Sequence, residues 1–278
     1  MVRMSAVWDR TVEVLNGRAG ILAAIALLTI AIPSIIQSAV GGGMQAVPSL
    51  AGGIVGLVAF GLTLWGTLAM TAVASDPATG RAQGLRIGAR ALPRTLAVML
   101  VLGIALVLLW VPAIALLMGS GYDLAAAQRG DQVGAMANVR AGPVVLYSLV
   151  ATAVMIWLFA RLVLIYPVLV NEGLMFGALR RSFALTRGLT ARIVGVVILF
   201  LVVLVVAVLA TQGVFGTAFR LLLGAEQQKL ALVMTAAVLA VVTTGFSVLQ
   251  IVFAAQLYVA TRAPVEVEPA PVRSGPWA

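Results

Sequence analysis

Nine carboxylates are the side chains left to carry most acid–base or nucleophilic chemistry in this 278-residue sequence, which contains neither histidine nor cysteine. That removes the commonest general base near neutral pH, the commonest metal ligand and any thiolate, so most zinc, haem and triad chemistries have no carrier. An enzyme acting on lipid without those groups needs paired carboxylates at short spacing. Glu266 and Glu268 are so paired, but they stand among Pro264, Pro269, Pro271 and Pro276 in a segment, 263–278, whose composition predicts a disordered tail. The expectation is therefore no enzyme, no catalytic residue, no metal and no cofactor.

The more informative candidates are arginines and one glutamate. Arg161 follows a long charge-free run, and an ionisable group at membrane depth is a functional candidate by default. If its span starts near Val144, Arg161 lies about 26 Å along the helix, close enough to the far interface for its side chain to snorkel into the headgroups. Anchor and functional site both stay open, with the anchor preferred. Pro167 then interrupts the apolar run, predicting a kink or a broken helix before Asn171 and Glu172. Without that break Arg161 and Glu172 would be about 16 Å apart on one helix face and could not pair. Glu172 could carry a proton or pair with a basic group. The preferred reading is a carboxylate complementing the N-terminus of a helix beginning near Leu174.

The elements that must hold these residues are membrane spans. Apolar residues make up 62% of the chain and charged residues 10%, against roughly half and a quarter in soluble domains. Charge-free runs long enough to cross about 30 Å of hydrocarbon recur and predict six spans near 19–40, 50–75, 95–118, 143–170, 193–216 and 230–261. Their unbroken apolarity excludes a barrel of alternating strands. The fold class is all-α: a six-span polytopic membrane protein. The charged run before the first span could be the start of a secretory signal, but its length and mixed charge favour a retained span.

Thirteen of the eighteen Lys and Arg residues fall on one side of the six spans. Four (Arg129, Arg140, Arg220 and Lys229) fall on the other, and that bias predicts cytoplasmic termini. The Ala/Val-heavy, Arg-rich composition points to a bacterial inner membrane. Without a basic cluster interleaved with aromatics, the net charge of +9 does not predict nucleic-acid binding. Three polar–apolar segments precede the hairpins on the Arg-rich side. Trp8, Val12 and Leu15 make one apolar stripe, Leu85, Ala89 and Leu92 a second, Phe176, Leu179 and Phe183 a third. Arg86 and Arg90, then Arg180 and Arg187, lie on the other faces. Such segments predict short interfacial helices against anionic headgroups, arranged either as three copies of one unit or as hairpins that merely share basic flanks.

The string Arg161, Pro167, Glu172, Ala178, Leu179, Arg181, Ser182, Leu185, Thr186 and Gly188 resembles the signature of the glycerophosphoryl diester phosphodiesterase membrane-domain family and related six-span bacterial proteins. The likeness is local, covering about 30 residues, and Leu189, Thr190 and Ala191 lack the aromatic that often follows the glycine in that family. Its named hydrolase activity belongs to a separate barrel domain without a counterpart in this sequence, so the resemblance implies a fold and no reaction. Two further features concern packing. Gly52 and Gly56 stand at GxxxG spacing, with Gly61 and Gly66 beyond. Thr243, Thr244, Ser247 and Gln250 either line a polar path or bond to neighbouring helices, the latter preferred. The expectation is a non-catalytic accessory or scaffold whose Arg161, Glu172, Arg180, Arg181, Arg187, Arg86 and Arg90 contact anionic phospholipid or a membrane protein partner. A transporter or lipid translocator is the alternative.

Overall fold

A computed structural model describes residues 3–40, 50–224 and 227–262; the proline-rich segment 263–278 lies outside them. Those residues form eleven helices: α1 (Met4–Ala26), α2 (Ile32–Val40), α3 (Leu50–Ser75), α4 (Arg81–Gly119), α5 (Leu124–Gln128), α6 (Gln132–Met136), α7 (Ala141–Leu162), α8 (Ile165–Asn171), α9 (Gly177–Leu185), α10 (Thr190–Leu223) and α11 (Gln228–Arg262). Six helical stretches are long and apolar enough to cross a membrane. The chain is an all-α, multi-pass membrane protein.

Prolines shape the spans. A π-helical segment, Leu27–Ala31, joins α1 to α2 just before Pro33. Proline has no N–H to give the Thr29 carbonyl four residues back, and that carbonyl instead accepts the Thr63 hydroxyl of α3 at 3.3 Å. Pro93 and Pro112 sit within α4 without interrupting it. Before Pro167 the backbone does break: α7 ends at Leu162 and α8 starts at Ile165, which places the proline in the first helical turn, where a missing N–H costs least.

Of the three amphipathic segments, only the third is a helix of its own, α9. The first two are the opening turns of α1 and α4. In each, small side chains rather than the expected large apolar stripe face the protein. Val7 and Thr11 are buried while Trp8 and Val12 are exposed. Gly84, Gly88, Ala91 and Thr95 are buried in α4, as are Ala178 and Ser182 in α9. Lipid solvates large apolar side chains as well as a core does, so close backbone approach decides which face packs.

Helices α3 and α11 occupy the centre: α3 packs on α4, α8 and α1, and α11 on α10, α1 and α3. The core lies in the Arg-rich half, in clusters built around Leu164–Leu169 with Leu257 and Tyr258, and around Ala69–Ala74 with Leu22 and Val252. Toward the other side the bundle opens, and Ile104, Val107, Leu146, Leu149, Val206 and Leu209 face outward. There α5 and α6 fill the loop, their first turns held by Asp123 and Asp131 carboxylates accepting backbone N–H groups.

The glycines of α3 differ in how closely they are approached. A side chain at Gly61 would meet open space and one at Gly56 only the end of Gln37, whereas Gly66 abuts Thr29. The tight pair at GxxxG spacing is Gly84 and Gly88, against Val73 and Ala69 of α3. A Cβ at Gly88 would lie 2.9 Å from the Ala69 backbone nitrogen, which cannot rotate aside. Gly88→Ala is expected to cost about 1–3 kcal/mol through overpacking. Gly103→Ala, where a Cβ meets nothing within 4 Å, is expected to be neutral or stabilising by about 0.5–1 kcal/mol. Thermal unfolding in one detergent compares the two; equal midpoints would contradict the packing described.

Candidate functional site

The break between α7 and α8 leaves the last carbonyls of α7 without helical partners, a costly condition where they are buried in protein. Helix α9 meets that need. Its Ser182 hydroxyl donates to the Arg161 carbonyl at 2.7 Å. In return the Arg161 guanidinium donates to the Phe183 carbonyl in the last turn of α9 at 3.1 Å, where a cation also complements the helix dipole. The guanidinium stacks 5.6 Å from the Trp157 ring centroid and 5.7 Å from that of Phe183. Its Nε is buried without a partner. Arg161 is thus turned onto protein, partly buried between Trp157 and Phe183.

The break does not bring Arg161 to Glu172. The Glu172 carboxylate accepts the Arg181 Nε–H at 3.1 and 3.2 Å and the Tyr258 hydroxyl of α11 at 3.1 Å. Arg262 in turn donates to the Tyr258 oxygen at 3.3 Å. Nor does Glu172 cap a following helix. No helix begins near Leu174; α9 starts at Gly177 with no side-chain cap, and Glu172 ends α8 instead. A positive φ at Gly173 turns the chain there, and the Gly173 carbonyl accepts from Arg94 at 3.4 Å. Around this point the Arg-rich helix ends are tied together. Asn171 donates to Ser75, Gln256 to the Ala74 carbonyl, and Arg18 to the Val73 and Asp76 carbonyls that end α3.

Outside these ties, Arg86, Arg90, Arg180 and Arg187 are exposed. Arg181–Glu172 is the ion pair formed among the described residues. Leu174, Met175 and Phe176 lie exposed beside them, an apolar wedge next to a cationic helix. Among the described residues no three Asp or Glu side chains gather as a metal would require.

The polar residues of the sixth span divide between packing and a cavity. Thr243 and Ser247 donate to carbonyls of their own helix, and Thr244 Oγ1 is buried without a partner. Ser247 and Gln250, with Thr63 and Thr67 of α3 and Tyr166 of α8, line a cavity of about 630 Å³ between α3, α4, α7 and α11. Sequence reasoning pointed to Ser247 and Gln250 but missed Thr63, Thr67 and Tyr166, whose spacing in apolar runs reads as ordinary packing. Arg161 does not line it.

Compared with protein-family models, curated proteins and solved structures, the chain matches none.

The two contacts to α9 differ in burial, so their loss should differ in cost. Ser182→Ala leaves the Arg161 carbonyl only the long Thr186 hydroxyl contact at 3.5 Å and is expected to destabilise by about 1–3 kcal/mol. Arg181→Ala breaks a half-exposed pair and is expected to cost about 1 kcal/mol or less. Denaturant unfolding of both variants in the same micelle checks the order, and a larger loss for Arg181→Ala would reverse this assignment.

Proposed function

We propose that this chain is a non-catalytic accessory or scaffold of a bacterial inner membrane, with cytoplasmic termini, that holds anionic phospholipid on its Arg-rich face and presents that face to a membrane partner. The observation that carries the reading is the set of exposed guanidiniums, Arg86, Arg90, Arg180 and Arg187, none of which forms an ion pair among the described residues, while Glu172 is already engaged by Arg181. A phosphate supplies the acceptors that the protein does not. The bound α9 and the apolar wedge Leu174–Phe176 support a seat at the headgroup level. The excess of Lys and Arg on this side supports the cytoplasmic orientation.

The non-catalytic part rests on the missing histidine and cysteine, and on Glu172, Asp123 and Asp131 being occupied by contacts that hold the fold. The family likeness stays a proposal. Its motif positions Arg161, Glu172, Arg181 and Ser182 have hydrogen-bonding reasons to occur together, which supports treating the pattern as a structural signature. A second reading, lipid translocation, is favoured by the intramembrane cavity. It lacks a lining cation or carboxylate with which to carry a charged headgroup.

Each guanidinium at the surface of an anionic leaflet contributes about 1 kcal/mol, roughly fivefold in affinity. Native mass spectrometry after exchange into phosphatidylglycerol should show retained lipid that falls at least tenfold in the Arg86→Ala/Arg90→Ala and Arg180→Ala/Arg187→Ala pairs. Lysine at the same positions should preserve most of it. Retention unchanged in both alanine pairs would overturn the proposal.

A further inference from the structure

The cavity between α3, α4, α7 and α11 has a chemistry of its own, separate from the arginine face. Its walls are apolar apart from five groups: Thr63, Thr67, Tyr166, Ser247 and Gln250. No charged side chain lines it. Gln250 lies twelve residues before Arg262 on α11, about 18 Å along the helix, near the middle of a hydrocarbon core about 30 Å thick.

At that depth the hydrogen-bonding state of each group decides what fits. Thr63, Thr67 and Ser247 have each given their single proton to a backbone carbonyl, so they offer only lone pairs. The Tyr166 hydroxyl is held by nothing stronger than the Met99 sulfur at 3.9 Å. The Gln250 amide has no hydrogen-bond partner among the described residues and keeps two donors and a carbonyl. An occupant that satisfies this set brings one hydroxyl to donate and one carbonyl to accept, carries no charge, and is otherwise apolar. The way in is from the bilayer. Phe60, Met99 and Gly103 also line a second, apolar groove of about 490 Å³, whose other walls include the exposed Leu100, Val107 and Leu108.

We infer that this cavity binds one neutral glycerolipid bearing a free hydroxyl, of the diacylglycerol class, with its ester carbonyl on Gln250 and Tyr166, its hydroxyl against the Thr67 and Ser247 oxygens, and an acyl chain along the Phe60–Gly103 groove. A charged headgroup is excluded at this depth by the absence of a counter-ion, since an unpaired charge in the bilayer interior costs several kcal/mol. A volume of about 630 Å³ is in the range of roughly 300–1,000 Å³ that ordinary ligand sites occupy. The inference rests on the cavity alone and stands or falls independently of the arginine face.

The test is native mass spectrometry of the full chain in detergent, titrated separately with dioleoylglycerol and dioleoylphosphatidylglycerol. One equivalent of dioleoylglycerol is expected to stay bound. Gln250→Leu, which keeps the volume and removes the amide, should weaken it about tenfold. Gly103→Leu grows a side chain where a Cβ meets nothing within 4 Å and should abolish binding by filling the junction of cavity and groove, with the thermal midpoint retained. Arg86→Ala/Arg90→Ala should leave dioleoylglycerol binding unchanged while lowering retention of the phospholipid. Failure of dioleoylglycerol to bind, or binding indifferent to both Gln250→Leu and Gly103→Leu, would overturn the inference. So would a Gln250-dependent preference for the phospholipid.

Discussion

A backbone that breaks where it is buried in protein must find hydrogen bonds from outside its own helix, and the rest of this structure follows from how the break at 163–164 is satisfied. A buried carbonyl left unpaired costs about 1–3 kcal/mol. The Ser182 hydroxyl closes the end of α7 and Arg161 closes the end of α9, a reciprocal exchange between two helix termini. That exchange fixes α9, and α9 fixes Arg181, which with Tyr258 holds Glu172. The second, fourth and sixth spans meet at this end because Asn171, Gln256 and Tyr258 reach across to one another's helices. Toward the other side the Tyr147 hydroxyl of α7 donates to the Leu109 carbonyl of α4, and many large apolar side chains face outward.

The sequence made the spans legible because span length and the lack of charge are properties of the solvent, readable one residue at a time. The break at Pro167 was legible for a similar reason, since proline's missing donor is local. The packing faces were not. Trp8, Val12 and Phe176 form stripes that would face a core in water, but in lipid they gain nothing by burial, and Thr11, Gly88 and Ser182 are buried instead. Glu172 pairs with a basic group rather than complementing a helix N-terminus, and the preferred reading failed because its partners stand nine and 86 residues away, separations at which sequence spacing carries no geometry. Arg161 was expected to snorkel to the headgroups, and its guanidinium donates instead to the Phe183 carbonyl, a contact that no sequence spacing announces.

Charge and polarity are thereby sorted by depth. Guanidiniums that close helix ends are turned inward; those that close nothing, Arg86, Arg90, Arg180 and Arg187, face out where an anionic leaflet attracts them. In the middle of the membrane the polar groups are hydroxyls and an amide, which can meet a neutral lipid but not an ion.

The central claim is that the Arg161 clamp holds α9 at the headgroup level with its arginines outward. The natural absence of cysteine allows single nitroxide labels at Phe176→Cys and Arg180→Cys, whose depth in phosphatidylglycerol-containing vesicles is read from oxygen and nickel-chelate accessibility. The account predicts a deeper label at 176 than at 180, and a loss of that difference when Arg161→Ala is added. Equal, water-like accessibility at both positions in the otherwise unaltered chain, or a depth difference that Arg161→Ala leaves intact, would contradict it.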